Sequence, residues 1–146
     1  MTLKQLSIEN KQPILFLQNG GKLRFSRQLV EERIGRQIST LKMSDDKVAL
    51  MQQMHEINSG DKKIVLMECS NPTDHSCLVK ILTDKGHHVL ALVDNQLPLA
   101  SKLSLFVSGA KRLIDPNEPD KEIALAISVF DKQSEFVSGS WEPLVG

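Results

Sequence analysis

The sequence predicts an α/β fold: one doubly wound (βα)5 domain with a five-stranded parallel sheet and helices on both faces. Two observations carry this. Strand-like and helix-like segments alternate five times along the chain. Strands of about five residues separated by helices of about 10–15 demand crossover connections, which are right-handed and build a parallel sheet. In addition, Ile64-Val65-Leu66-Met67 is a continuous apolar run, as expected for a strand covered on both faces. The expected strand order, 2-1-3-4-5, comes from the fold class and not from spacing.

The elements follow in order. Residues 13–17 (Pro-Ile-Leu-Phe-Leu) form a short apolar strand ended by Gln18-Asn19-Gly20-Gly21. A charged helix spans 22–36, with Leu23, Val30 and Ile34 near one face. Residues 38–43 read as a weaker second strand. Ser44-Asp45-Asp46 supplies an N-cap and first-turn acids, and Leu50, Met51, Met54 and Ile57 then recur at helical spacing until Ser59-Gly60. The third strand is 63–67, with Glu68 at its end. The turn Asn71-Pro72-Thr73-Asp74 leads into a helix over 75–85, with Cys77, Leu78, Ile81 and Leu82 on its inner side. Residues 89–93 are the fourth strand. In the helix 98–108, Leu99, Leu103 and Phe106 are spaced four then three. A short fifth strand, 110–114, is stopped by Asp115-Pro116. The last helix starts at Pro119-Asp120 and carries Ile123, Ala126, Ile127 and Phe130 on one stripe. Residues 1–12 read as a flexible N-terminal segment, 13–133 as the domain, and 134–146, with Trp141, as a C-terminal extension or the start of a linker.

With 146 residues the chain makes one ordinary domain with a real core. Eighteen basic and 18 acidic side chains cancel, which argues against direct nucleic-acid binding. No apolar stretch approaches the roughly 20 residues that span a bilayer. The polar first 12 residues lack a signal peptide's apolar centre, so the expectation is a cytoplasmic protein without membrane contact. Cys69 and Cys77 make neither a disulfide framework nor a zinc site; they read as two thiols in a reducing compartment.

The order of elements, Gly86 before strand four, Gly109-Ala110 before strand five, and above all residues 64–76 (IVLMECSNPTDHS) resemble the receiver domain of bacterial response regulators. The family's pattern there is an apolar strand, an acceptor Asp, three variable residues and Pro. Glu68 falls on the acceptor and Pro72 on the Pro; Ser76 falls where Gly is usual. The resemblance covers residues 13 to about 132 and implies a flavodoxin-like fold and a role in two-component signal transduction or a phosphorelay.

Residue by residue, it also implies that the reaction has been lost. Phosphoryl transfer to a carboxylate needs a divalent cation, which wants clustered carboxylate oxygens. The family supplies them as an acidic pair after strand one, where this chain has Gln18 and Asn19. Glu68 is one methylene longer than Asp, and a displacement on the order of 1 Å can cost ~100-fold in rate. The family's hydroxyl at the end of strand four falls on Val93, and its Lys after strand five falls on Asp115. The switch aromatic of strand five is absent from Lys111-Arg112-Leu113-Ile114. The pattern implies a pseudo-receiver: no enzyme, no metal, no cofactor. Glu68 keeps three readings: a mimic of the phosphorylated acid, a vestigial carboxylate solvated at the rim, or an atypical acceptor.

Other features read as structural. His87-His88 reads as a solvated strand start, since neighbours on a strand face opposite ways and cannot chelate as a unit. Asp74-His75 reads as an N-cap region. Gly20-Gly21-Lys22 lacks P-loop spacing. The arginines of the first helix (Arg24, Arg27, Arg33, Arg36), interleaved with Glu31 and Glu32, read as a solvated face. Met51 and Met54 read as core filler. The fourth helix, fifth strand and fifth helix hold more apolar residues than one stripe each requires, so Leu105, Phe106, Val107, Arg112 and Phe130 are the candidate interface, for a homodimer or a protein partner. A ligand- or nucleotide-sensing role for the vacated pocket, and an active enzyme or flavoprotein on the same fold, are the alternatives.

Overall fold

The computed structural model describes residues 12–19, 25–69, 72–93, 96–114 and 117–135. In chain order these form β1 (Ile14–Gln18), α1 (Arg27–Ile34), β2 (Ile38–Lys42), α2 (Lys47–Ser59), β3 (Ile64–Cys69), α3 (Pro72–Asp84), β4 (His88–Val93), α4 (Leu99–Ser108), β5 (Arg112–Ile114) and α5 (Pro119–Glu135). All strand pairs are parallel and the order is β2-β1-β3-β4-β5, the order expected from the fold class.

Burial explains why the central strands are apolar throughout. Every residue of β3 is buried, and so is every residue of β4 after His88. Side chains alternate across the sheet into two cores. One holds Leu17, Val65, Met67, Val89 and Ala91 under α2, α3 and α4, through Met54, Leu82 and Leu105. The other holds Ile14, Phe16, Leu66, Leu90 and Leu92 under α1 and α5, through Val30, Ile123 and Ile127. At the edge, β2 buries only Ile38 and exposes Ser39, Thr40 and Lys42.

Several element boundaries and faces differ from expectation. Residues 25 and 26 are not helical; α1 starts at Arg27 because Ser26 caps it, its hydroxyl accepting from Leu29 N at 3.3 Å. The Ser26 N–H donates to Asp120 Oδ1 at 2.6 Å, which fastens the start of α1 to the start of α5. In α2 the cap is Asp46, whose carboxylate accepts from Ala49 N at 3.0 Å. Met54 is core as expected, but Met51 is about half exposed, so only one of the two methionines fills the interior.

Helix α3 starts at Pro72, where a missing N–H costs nothing. Asp74 therefore lies inside the helix, not before it. The buried stripe becomes His75, Ser76, Leu78, Val79 and Leu82, and Cys77, expected inside, points outward. In α4 the stripe Leu99, Leu103 and Phe106 faces outward, and Leu105, assigned to the interface, is the residue that enters the core. Gly109 ends α4 at φ +121°; a Cβ there would lie 2.5 Å from Thr83 Cγ2, so α3 and α4 approach through a glycine.

Candidate functional site

The carboxyl edge of the sheet brings the ends of β1 and β3 together. Strand β3 runs through Glu68 to Cys69, one residue past the expected end, and this fixes the direction of each side chain. In register, Glu68 lies beside Leu92 and Cys69 beside Val93. Alternation puts Glu68 on the face of Leu66 and Leu92, and Cys69 with Val93 on the other.

Glu68 is only 2% exposed, which overturns its reading as a carboxylate solvated at the rim. Its Oε1 accepts from the backbone N–H of Asn19 at 3.2 Å. The side-chain amide of Asn19 in turn lies 3.2 Å from Nε2 of His75, itself buried in the first turn of α3. The negative charge of Glu68 is felt next door. Burial first, and Glu68 second, push the Cys69 thiol up to about 12. The thiol sits over its own strand, 3.5 Å from Met67 O.

Of the five residues assigned to the vestigial pocket, the structure joins Asn19 and Glu68. Gln18 closes β1 opposite Lys42, and its carbonyl accepts from Met43 N at 2.8 Å. Val93 is a correction: it is buried in the α2–α4 core, on the sheet face opposite to Glu68. Asp115 lies outside the described residues, as do Gly20-Gly21-Lys22 and Trp141. His75 is the residue that the sequence reading did not place in the site. The signal for it was present: a polar residue in the first turn after a β-strand is aimed back at the strand's carboxyl end.

Among the described residues no three His, Cys, Asp or Glu side chains are grouped as cation ligands. Among the described residues, the backbone amide of Asn19 bonds to Glu68 and its side-chain amide meets the His75 imidazole, a linked chain of three polar residues at the carboxyl edge. Beside them, Asn19 and His75 also line a cavity of about 400 Å³ between α2 and α3. Leu50, Met51, Leu78 and Ile81 give it an apolar side; Ser44, Asp45 and Lys47 give it a polar rim.

The opposite, amino edge of the sheet corrects a second expectation. His87 is buried and is not a solvated strand start. Its Nδ1 accepts from Lys63 N at 2.9 Å. His88 stacks on Phe130, with ring centroids 4.8 Å apart and planes at 20°. Both imidazoles are pushed below their ordinary pKa, chiefly by burial. Lys63, His88 and Lys62 add to the effect at His87; Lys111 and Lys62 add to it at His88. Phe130, assigned to the interface, is thus held by a ring contact inside the domain. On α4, Phe106 is 46% and Val107 89% exposed, as an interface needs.

No protein-family model matches the sequence, and no curated protein matches it by sequence. Solved structures match by shape. A pilus assembly-related protein from Burkholderia pseudomallei superposes with a TM-score of 0.56 at 12% identity, over 82% of this chain and 91% of that one. A CheY-like protein (tadZ) from Pseudomonas aeruginosa gives 0.54 at 14% identity, over 81% and 93%. A 3-dehydroquinate dehydratase-like protein from Bifidobacterium longum gives 0.53 at 14% identity, over 88% and 99%. At these identities the likeness is one of fold: a CheY-like, flavodoxin-like α/β domain. Among the described residues no helix is long and apolar enough to cross a membrane.

Proposed function

We propose that this chain is a receiver-like signalling module that no longer accepts a phosphoryl group and acts through protein–protein contact. The observation that carries this reading is the state of Glu68. A phospho-acceptor must present its oxygen to a phosphodonor and a cation. Here the carboxylate is 2% exposed, one oxygen is held by Asn19 N, and amides stand where the resemblance calls for acids. The module has no catalytic step of its own.

Output then has to come from a surface. On α4, Leu99, Leu103, Phe106 and Val107 follow one another at i, i+4, i+7 and i+8, all between 46% and 89% exposed. That spacing makes one outward apolar stripe, the pattern by which helices dock. The stripe supports contact through α4, either with a second copy or with a bacterial regulatory partner. Acetyl phosphate with magnesium should leave the intact mass unchanged, and one phosphoryl group gained on Glu68 would sink the reading. The double variant Phe106→Glu, Val107→Glu should lower the solution mass or abolish partner capture while the fold, followed by circular dichroism, is kept.

A second reading, a small-ligand sensor, draws support from the 400 Å³ cavity beside Asn19 and His75. Its size is that of ordinary ligand sites. A metabolite panel that raises the melting temperature of the native chain but not of a Leu78→Trp variant would favour it.

A further inference from the structure

We propose that the groove at the amino edge of β4 and β5 binds a small organic anion, a carboxylate or phosphate carried on a flat apolar body. The groove has a volume of about 360 Å³ and is lined by His88, Lys111 and Arg112 of the sheet edge and by Ala126, Val129 and Phe130 of α5. It lies at the end of the sheet opposite to Glu68 and does not depend on the function proposed above.

Three observations converge on it. First, the cations are uncompensated. Neither Lys111 nor the half-buried Arg112 makes an ion pair or a side-chain hydrogen bond among the described residues, and nor does nearby Lys62. The chain as a whole is neutral, so this excess belongs to the place and not to the composition. A partly desolvated guanidinium gains most from a planar oxyanion, which it holds through two parallel N–H···O bonds.

Second, His88 Nδ1 is buried and has no hydrogen-bond partner among the described residues. Lys111 and Lys62 are also the charges that, after burial, depress its protonation, so the local potential is positive. An anion in the groove offsets that potential. Third, the groove is not merely charged. Phe130 stacked on His88 forms an aromatic wall, continued by Ala126 and the 42% exposed Val129. An inorganic ion would use only the cationic side; a flat body bearing an anion uses both.

The test uses phenyl phosphate as probe on the full chain, with inorganic phosphate and phenol as the charge-only and ring-only controls, read by amide chemical shifts. Phenyl phosphate should give saturable shifts centred on His88, Lys111, Arg112 and Phe130. Inorganic phosphate should bind several-fold more weakly, and phenol should not saturate. The double variant Lys111→Gln, Arg112→Gln should weaken phenyl phosphate by about tenfold or more, the effect of losing charge-assisted hydrogen bonds. Both side chains lie outside the cores, so the variant's unchanged spectrum elsewhere checks its fold. No saturation up to roughly 10 mM, a free energy below about 3 kcal/mol on the usual scale, would overturn the site. So would saturable shifts that the double variant leaves unchanged. Equal affinity for inorganic phosphate would overturn the flat-body requirement and with it the proposal as stated.

Discussion

The backbone N–H of Asn19 donates to Oε1 of Glu68 across 3.2 Å, joining the end of β1 to the end of β3 through a buried carboxylate. The longer side chain of Glu lets the oxygen reach back to the neighbouring strand's exit. Glu68→Gln keeps an acceptor of the same shape and should cost less than about 1 kcal/mol. Glu68→Ala removes it, leaves a cavity and strands the Asn19 N–H, at about 2–4 kcal/mol. Urea denaturation at neutral pH separates the two; equal losses would mean that the bond contributes nothing.

The two thiols should differ sharply. Cys69 is buried, with its pKa pushed up to about 12, while Cys77 is exposed. Iodoacetamide at about pH 8 should add once to the native chain and twice in denaturant, because only an accessible thiolate reacts. Peptide mapping should place the native adduct on Cys77. An adduct on Cys69 in the native chain would contradict this burial.

Acid should weaken the fold through the amino edge. The Lys63 N–H already occupies His87 Nδ1, so protonation there means losing that bond. The folded pKa is depressed below the ordinary 6.5, by burial and then by Lys63, His88 and Lys62. The unfolded chain therefore takes the proton first as pH falls. Stability from this group is full above about pH 6.5 and declines as pH drops towards the folded pKa. His88, depressed in the same direction, adds to the slope. Urea midpoints at about pH 7.5 and 5.5 should fall with acid, and His87→Asn, which keeps an acceptor near Nδ1 but cannot titrate, should flatten the change. A midpoint that rises at acid pH would contradict the assignment.

Two left-handed glycines should respond differently to alanine. Gly35, at φ +72°, has nothing within 4 Å of a new Cβ, so Gly35→Ala should cost about 1 kcal/mol of backbone strain. Gly109, at φ +121°, would place that Cβ 2.5 Å from Thr83 Cγ2, and Gly109→Ala should cost about 2–4 kcal/mol. Thr83→Ala should recover part of the second loss and none of the first, measurable as a coupling in thermal unfolding.

The fold was legible because its signal is redundant. The apolar run at Ile64–Met67 marks a central strand, and glycines and prolines punctuate each helix. Faces were legible only where one stripe was apolar, as in α5. In α4 nearly every position is apolar or small, so periodicity cannot say that Leu105 turns in while Leu103 and Phe106 turn out; packing against α3 decides it. The site was half legible. Asn19 and Glu68 followed from their places at strand ends. Val93 did not: alternation along β4 places it with Val89 and Ala91, on the sheet face opposite to Glu68, a matter of side-chain direction that position at a strand end does not carry. His75 was missed although its place in the first turn after β3 marked it, and His87 because an imidazole at a strand start carries no mark of the backbone N–H it will meet.

The polar outer surface of β2 and the brevity of β5 also limit how copies of this chain can join. At one margin Ser39, Thr40 and Lys42 face water, and the Arg27 guanidinium bonds to Thr40 Oγ1 at 3.0 Å. At the other, three residues continue the ladder among the described residues. Neither margin offers the long, flat, apolar template on which sheets propagate from molecule to molecule. A sample held for days at high concentration should therefore stay free of cross-β fibres even while its helices associate.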